Sequence, residues 1–462
     1  MSQSITQKPS LFTPHATLAA LLACQKARGI FQTVGQAVQI AQKTVKDRPE
    51  DKLIDILVTL LSGAHGLVEI NTLLRADPAL QQSIGRERCS EQSVAQQTLD
   101  AATEQNVEQL QGALTTLFQR HSRAFFHPYR SRFQVLDVDL TGMPSGKKAE
   151  KATKGYFAGQ RNRRGRQQGR VLASQYGEVV VDQLFEGKDT LINALPSLIK
   201  AAERVLASTA FKRKHTVIRL DAGGGSIDAL NSLLERGYRV VSKDFSTKRA
   251  RLLAKSVKQW IDDPQVPGRQ VGWVSEPTVE YAYPVRRLAV RFPRKKAGWD
   301  YAVLIFALEP FELLELMELP VLCDEGSTML AYAHYYDQRG GGIESSFGQD
   351  KGGLGITKRG KKRFCAQEML MLLGTLAHNL LIWSRRWLSQ NSAPTQAFRL
   401  QQYGITRLVR DLYHISGVLH FDRRGRLHSI ALNAASCLSQ LLLAPLGQLL
   451  APLHIAVILD KT

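Results

Sequence analysis

The chain has 462 residues and a formal charge of +20, long enough for two or three hydrophobic cores, because single domains usually stop growing at about 250 to 300 residues. That charge disfavours basic partners and favours polyanions, nucleic acid first among them. Five scattered cysteines, none in Cys-x-x-Cys spacing, support neither a disulfide framework nor a thiolate zinc site, and from the polar opening MSQSITQKPSLFTPHATL no secretory signal is expected, so the expected compartment is reducing and cytoplasmic.

From Thr17 to about Ser122 apolar residues recur at three- and four-residue spacing, as in DKLIDILVTLLSGAHGLVEINTLL and VEQLQGALTTLFQRH. This predicts an all-α domain over residues 1–127. At Phe133 the period becomes that of strands: FQVLDVDL, GRVLASQY and GEVVVDQLF predict a three-strand meander. A helix over 190–207, the strand HTVIRLD, a helix from Ser226 and the strand YRVVSKD complete the first part of a core over 128–246. Three strands, helix, strand, helix, strand is the order of an RNase H-like mixed sheet; a dinucleotide fold alternates strand and helix from its beginning. Residues 247–324 read as a β-rich insertion, and helices over 326–347 and 366–388 return the chain to the core, whose second part spans 325–390. The last stretch, 391–462, predicts a hairpin turning at Asp422 to Gly425 and closing helices. Leu427 to Leu459 lacks charge, but Asn433, Gln440, Pro445, Gln448, Pro452 and His454 interrupt it before about 18 apolar residues accumulate, so no membrane span is expected. The fold class is therefore α/β, with a helical domain before the core and a hairpin with helices after it.

Two apolar strands end in acids: Asp139 in LDVDLTG and Asp221 in RLDAGGG. A carboxylate there is costly unless solvated, paired or bound to metal, and two on neighbouring strands make a hard-oxygen site of the kind that holds Mg²⁺. Asp137 competes with Asp139, since residues two apart share a strand face; Asp139 is favoured because it lies nearer the strand end and precedes Thr141. The helical stretch YYDQRGGGIESSFGQDK supplies a third acid, Glu344, with Lys351 two turns on and on the same face.

With Tyr336 and Arg339 these residues give the chain a resemblance, over roughly Phe133 to Leu388, to bacterial insertion-sequence DDE transposases carrying a Tyr-Arg-Glu-Lys signature. That family spaces the signature Tyr-x2-Arg-x3-Glu-x6-Lys, whereas four residues separate Arg339 from Glu344 here. The resemblance implies two Mg²⁺ or Mn²⁺ ions on Asp139, Asp221 and Glu344, activating a water or a DNA 3′-hydroxyl for in-line displacement at a phosphodiester. It further implies DNA contacts from Tyr336, Arg339 and Lys351. The implied partners are double-stranded transposon ends and target DNA, met by a homodimer in the bacterial cytosol.

The basic stretch PSGKKAEKATKGYFAGQRNRRGRQQGR, with Arg161, Arg163, Arg164 and Arg166 near Tyr156 and Phe157, reads as a DNA-contacting loop. A second basic run spans Lys358 to Arg363, and Trp273 and Trp299 are candidates to wedge beside a distorted DNA end. Two alternatives stay open. The turn IRLDAGGGSIDALNSLLERGYRVVSKD also fits a nucleotide-cofactor enzyme of the methyltransferase kind, with Asp244 on the ribose. The other is a transposase-derived DNA-binding protein without catalysis, against which the presence of all three carboxylates argues.

Overall fold

The structure is a computed structural model that describes residues 10–42, 46–157, 160, 163–295, 298–320, 324–356 and 360–460. Its strands in chain order are β1 (Ser10–Thr13), β2 (Gln134–Pro144), β3 (Thr153–Lys154), β4 (Arg164–Ala173), β5 (Glu178–Glu186), β6 (Thr216–Leu220) and β7 (Arg239–Lys243). They continue with β8 (Ile261–Asp262), β9 (Gln270–Trp273), β10 (Arg286–Pro293), β11 (Trp299–Phe306), β12 (Gly417–Phe421), β13 (Leu427–Asn433) and β14 (Ala456–Asp460). Two compact units, each discontinuous in sequence, contain them.

The first unit takes the described residues of Met1–Ser122, Pro144–Ala152 and Gly348–Thr462. Helices Pro49–Leu61, Gln92–Ala101 and Glu104–His121 pack on the helix Phe364–Gln390. Thr103 and Asn106 start Glu104–His121 through a reciprocal capping box, which satisfies backbone donors the first turn leaves open. Phe364–Gln390 has the length and composition of a membrane span, yet it is mostly buried within the unit. Packing against helices on several sides requires a helix apolar nearly all round, and this one is a core helix. The sheet runs β1-β12-β13-β14, with β1 antiparallel to β12 from Ser10↔His420 onward. The boundaries expected at 127 and 390 therefore differ from the observed division. Leu18, Leu57, Trp383 and Leu442 are all buried in the unit, and β1 finds its hydrogen-bonding partner in the C-terminal hairpin.

The second unit spans Arg123–Met143 and Thr153–Phe347. Its sheet runs β3-β4-β2-β6-β7-β11-β10-β9-β8, with β5 beside β4; β2, β6 and β7 are parallel neighbours, and β4 and β5 are antiparallel. The residues expected to form a separate insertion lengthen this sheet instead. β11 pairs antiparallel with β7, covering an edge whose bare N–H and C=O groups invite association, and β10, β9 and β8 follow. EPFELLELM, of mixed pattern, is the helix Pro310–Met317, begun by reciprocal bonds between Glu309 and Glu312.

The basic stretch read as a loop differs most. β4 already begins at Arg164, and Arg166, Gln167 and Gln168 are buried in it. RGRQQGR carries no apolar alternation, so periodicity conceals the strand. Its charges are met across the ladder, Arg166 opposite Glu186 and Arg170 opposite Asp182.

Candidate active site

The site grows from two parallel strands in register. β2 and β6 pair Asp137 with Arg219 and Val138 with Leu220, so Asp139 and Asp221 are the next residues on neighbouring strands. Because side chains alternate across a sheet, Asp137, Asp139, Arg219 and Asp221 share one face, in two layers. In the inner layer Arg219 donates to both Asp137 oxygens, at 2.6 and 2.9 Å, and Ser174 Oγ donates to the same carboxylate. That layer is neutral and closed. The outer layer sets two acids side by side.

Asp139 records the strain of that arrangement. Burial first, and Asp221 second, push its carboxyl up to about 6, against the pull of Arg339 and of the Leu140 N–H. Asp221 Oδ1 is buried with no hydrogen-bond partner, the situation in which a carboxylate is most costly. Arg339 answers part of this charge. Its guanidinium, 7 % exposed, donates to Asp139 at 3.1 Å and to Glu344 at 2.7 Å. Tyr336 lies beside it, and burial raises the phenol to about 12.

The spacing of Arg339 and Glu344 has a local cause. Helix Glu325–Arg339, capped by Asp324 at the Ser327 N–H, runs into a π-helical turn, Gly340–Glu344, before Ser345–Gly353. A π turn holds one residue more than an α turn, so five steps along the chain return Arg339 and Glu344 to one face. The fourth intervening residue is absorbed and the Arg–Glu contact is made. Gly342 sits where the turn meets the inner ion pair, and a Cβ there would collide with Asp137 Oδ2. Gly342→Ala is therefore expected to cost about 1–3 kcal/mol by overpacking. Gly341, with open space around its Cβ position, should accept Ala with a gain of roughly 0.5 kcal/mol. Urea unfolding of the two variants checks the contrast.

A second buried ion pair buttresses the same turn. Arg170 donates to Asp182 at 2.8 and 2.9 Å and to Ser346 Oγ at 2.8 Å, two residues beyond Glu344, while Ile343 and Phe347 pack on Leu172 and Val179. Arg219, Ser174, Arg170 and Asp182 were not singled out from sequence. A charged residue inside an apolar strand is the signal that finds Arg219 and Asp182, since buried charges need partners, whereas Arg170 lies in the polar part of β4 and Ser174 just beyond it.

The other sequence candidates divide. Lys351 lies on Ser345–Gly353 but belongs to the other compact unit. Arg163 is exposed and Arg164 half-buried, whereas Arg166, fully buried in β4, is removed from any phosphate. Arg161, Lys358 and Arg359 lie outside the described residues. Tyr156 is exposed and Phe157 buried. Trp273 packs against the core beside Tyr332, ring centroids 5.4 Å apart, and is a core residue rather than a wedge. Trp299 and Trp260 flank the Arg291 guanidinium at 4.3 and 4.1 Å.

The glycine turn has its own steric account. A Cβ at Gly225 would collide with the Lys243 carbonyl on β7, and one at Gly223 would crowd the Asp221 carboxylate. The helix that follows, Ile227–Glu235, is capped by Ser226. Asp244, the acid a ribose would need, is buried and bound to the Ser246 N–H at 2.8 Å and Arg249 Nε at 2.7 Å. That commitment disfavours the nucleotide reading.

Asp139 and Asp221 fit a divalent cation by donor type, by the unpartnered Asp221 oxygen and by the raised Asp139 carboxyl. Among the described residues, however, no three acids, histidines or cysteines stand close enough to hold a metal together, and Arg339 bridges Asp139 to Glu344.

In the metal-free protein the raised Asp139 carboxyl has a stability consequence. The unfolded chain releases this proton near the ordinary value of about 3.9, the folded chain near 6. Between those values the folded state binds more protons, so stability falls as pH rises and the penalty is complete above about 6. With chelator present, Asp139→Asn should be more stable than wild type at pH 8 by on the order of 2 kcal/mol, and the advantage should vanish near pH 4. Denaturant titrations at the two pH values check it.

No family model matches the chain, and no curated protein matches it. Among solved structures, a chain of the cryo-EM structure of a piggyBac transposase synaptic complex with hairpin DNA superposes with a TM-score of 0.47 at 12 % identity, covering 88 % of this chain and 82 % of that one.

Proposed function

We propose that the protein is a DDE-type DNA transposase on an RNase H-like core, cutting and joining DNA at the ends of an insertion sequence with divalent-cation help. The observation that carries the reading is the outer acid layer: Asp139 and Asp221 on adjacent parallel strands, the Asp139 carboxyl raised first by burial and then by Asp221, with a buried Asp221 oxygen left unpartnered. The order β5-β4-β2-β6-β7 within the sheet supports the RNase H-like assignment. The π turn supports the Tyr-Arg-Glu-Lys signature, since it restores the contact that the extra residue would otherwise break.

Asp139 and Asp221 would hold Mg²⁺ or Mn²⁺, with Glu344 as the third acid; two such ions stabilise both the attacking and the leaving oxygen of an in-line phosphodiester displacement. The protein's own groups do the rest. The inner Asp137–Arg219 pair fixes the spacing of the strand ends. Arg339 screens Asp139 and Glu344, and a DNA phosphate offered to it would release the Glu344 carboxylate. Tyr336 positions the guanidinium, and Lys351 and Arg163 meet backbone phosphates. Action as a homodimer on double-stranded ends, in the bacterial cytosol, belongs to the same proposal.

The test is a strand-cleavage and joining assay on plasmid DNA carrying the sequences that flank the coding region. Mg²⁺-dependent nicks ending in free 3′-hydroxyls, and their transfer to a second DNA, are expected. Absence of cleavage with Mg²⁺ and Mn²⁺, together with a thermal shift from S-adenosylmethionine alone, overturns the reading.

A further inference from the structure

The strands that end at the acid pair begin at a surface of different character. Two segments lead into them: RAFFHPYRSRF, residues 123–133, enters β2, and TAFKRKH, residues 209–215, enters β6. Neither contains an acid. Because β2 and β6 are parallel and start together at Gln134↔Thr216, the segments lie side by side. Gln134 N donates to the His215 carbonyl at 2.9 Å, the Phe133 and His215 rings are 5.7 Å apart, and Lys212 Nζ stands 5.3 Å from the Phe125 ring and 5.5 Å from the Tyr129 ring.

Buried groups fix this platform from below. His127 Nε2 bonds the Arg132 carbonyl at 2.9 Å, and the Tyr129 hydroxyl donates to Gln134 at 2.5 Å. Two large rings are left outside: Phe126 is 66 % and Phe211 49 % exposed. Arg123, Arg130, Arg132 and Lys214 are exposed around them. Among the described residues the one carboxylate ion-paired to these four, Glu318, is 3.8 Å from Arg132 and is itself mostly exposed, a pairing worth little in water. Phe126 meets the Phe125 ring at 5.2 Å and Phe211 the His215 ring at 4.4 Å, so each is held from one side and exposed on another, and half-exposed rings among exposed cations are what a partner with flat rings and regularly spaced negative charges requires. β6 separates this surface from Asp221 by five residues, roughly 17 Å at strand rise, so a ligand here is distinct from one at the acids.

We propose that this end of the sheet binds a stretch of unpaired polynucleotide, with Phe126 and Phe211 stacking on bases and Arg123, Arg130 and Lys214 meeting phosphates. A duplex offers the phosphates but hides the base faces, and base–aromatic stacking is the contact that discriminates. The inference does not depend on the acid pair being catalytic.

Fluorescence titration of the full-length protein with labelled oligo(dT) and with a duplex of equal length tests it, at several salt concentrations. Phe126→Ala with Phe211→Ala should weaken oligo(dT) binding at least about tenfold and leave duplex binding within about twofold. Arg123→Ser, Arg130→Ser and Lys214→Ser together should reduce the salt slope for oligo(dT) by about two, at roughly 0.7 per phosphate on a single strand. All five side chains are on the surface, and unchanged circular dichroism confirms folding. Unchanged oligo(dT) affinity in the ring variant overturns the proposal. So does equal loss of heparin and oligo(dT) in the charge variant when the ring variant is silent, which leaves only a polyanion surface.

Discussion

Asp221→Asn is expected to lower metal-dependent DNA strand cleavage by roughly a thousandfold or more while leaving DNA affinity within a few-fold. The substitution keeps the shape of the side chain and the β6 backbone. It removes one of two negative charges that face each other across β2 and β6, and it replaces a buried unpartnered carboxylate oxygen with an amide that binds hard cations poorly. Metal-assisted displacement depends on several kcal/mol of charge stabilisation, and each 1.36 kcal/mol is tenfold in rate. Asp244→Asn is the matched control. Asp244 caps Ser246 and pairs with Arg249, so its loss should appear in thermal stability while cleavage by the folded fraction persists. Single-turnover cleavage with Mg²⁺ and with Mn²⁺, normalised to folded protein, measures both.

Asp137→Ala should cost about 3–5 kcal/mol of stability, the penalty for stranding one member of a buried ion pair. Arg219 would keep its buried guanidinium and lose both carboxylate bonds, retaining the Tyr335 carbonyl at 3.4 Å. Ser174 would lose its acceptor, and the wall against which Gly342 packs would be gone. Asp139, two residues along on the same face, should behave oppositely: neutralising it removes activity and relieves repulsion. On the proposed reading the two acids of DVD should thus have separable signatures, stability for one and chemistry for the other. Chemical denaturation and cleavage assays on the same preparations read them out.

Much of the second unit is legible in the sequence because its strands are apolar and end abruptly. FQVLDVDL and HTVIRLD announce both the strands and the charges that need partners. What stayed hidden has three physical causes. β4 is polar along RGRQQGR and buries that polarity in cross-strand pairs, so an amphipathic period is absent. The strands of 247–324 look like a separate module until β7 is seen to need an edge partner, a fact about topology and not about composition. The union of the N-terminal helices with the C-terminal hairpin rests on β1 pairing with β12, about 400 residues away, beyond any local signal. Within the site, the Arg339–Glu344 distance in sequence breaks a helical spacing by one residue, and only the π turn over the glycines shows how contact is kept.

The most direct measurement is Mn²⁺ binding to the purified protein by titration calorimetry, in wild type, Asp139→Asn, Asp221→Asn and Asp137→Asn, each with a DNA end present. If Asp139 and Asp221 form the cation site, wild type binds Mn²⁺, both outer-layer variants lose that binding by at least about tenfold, and folded Asp137→Asn retains it. Mn²⁺ affinity unchanged in Asp139→Asn and Asp221→Asn alike contradicts the account.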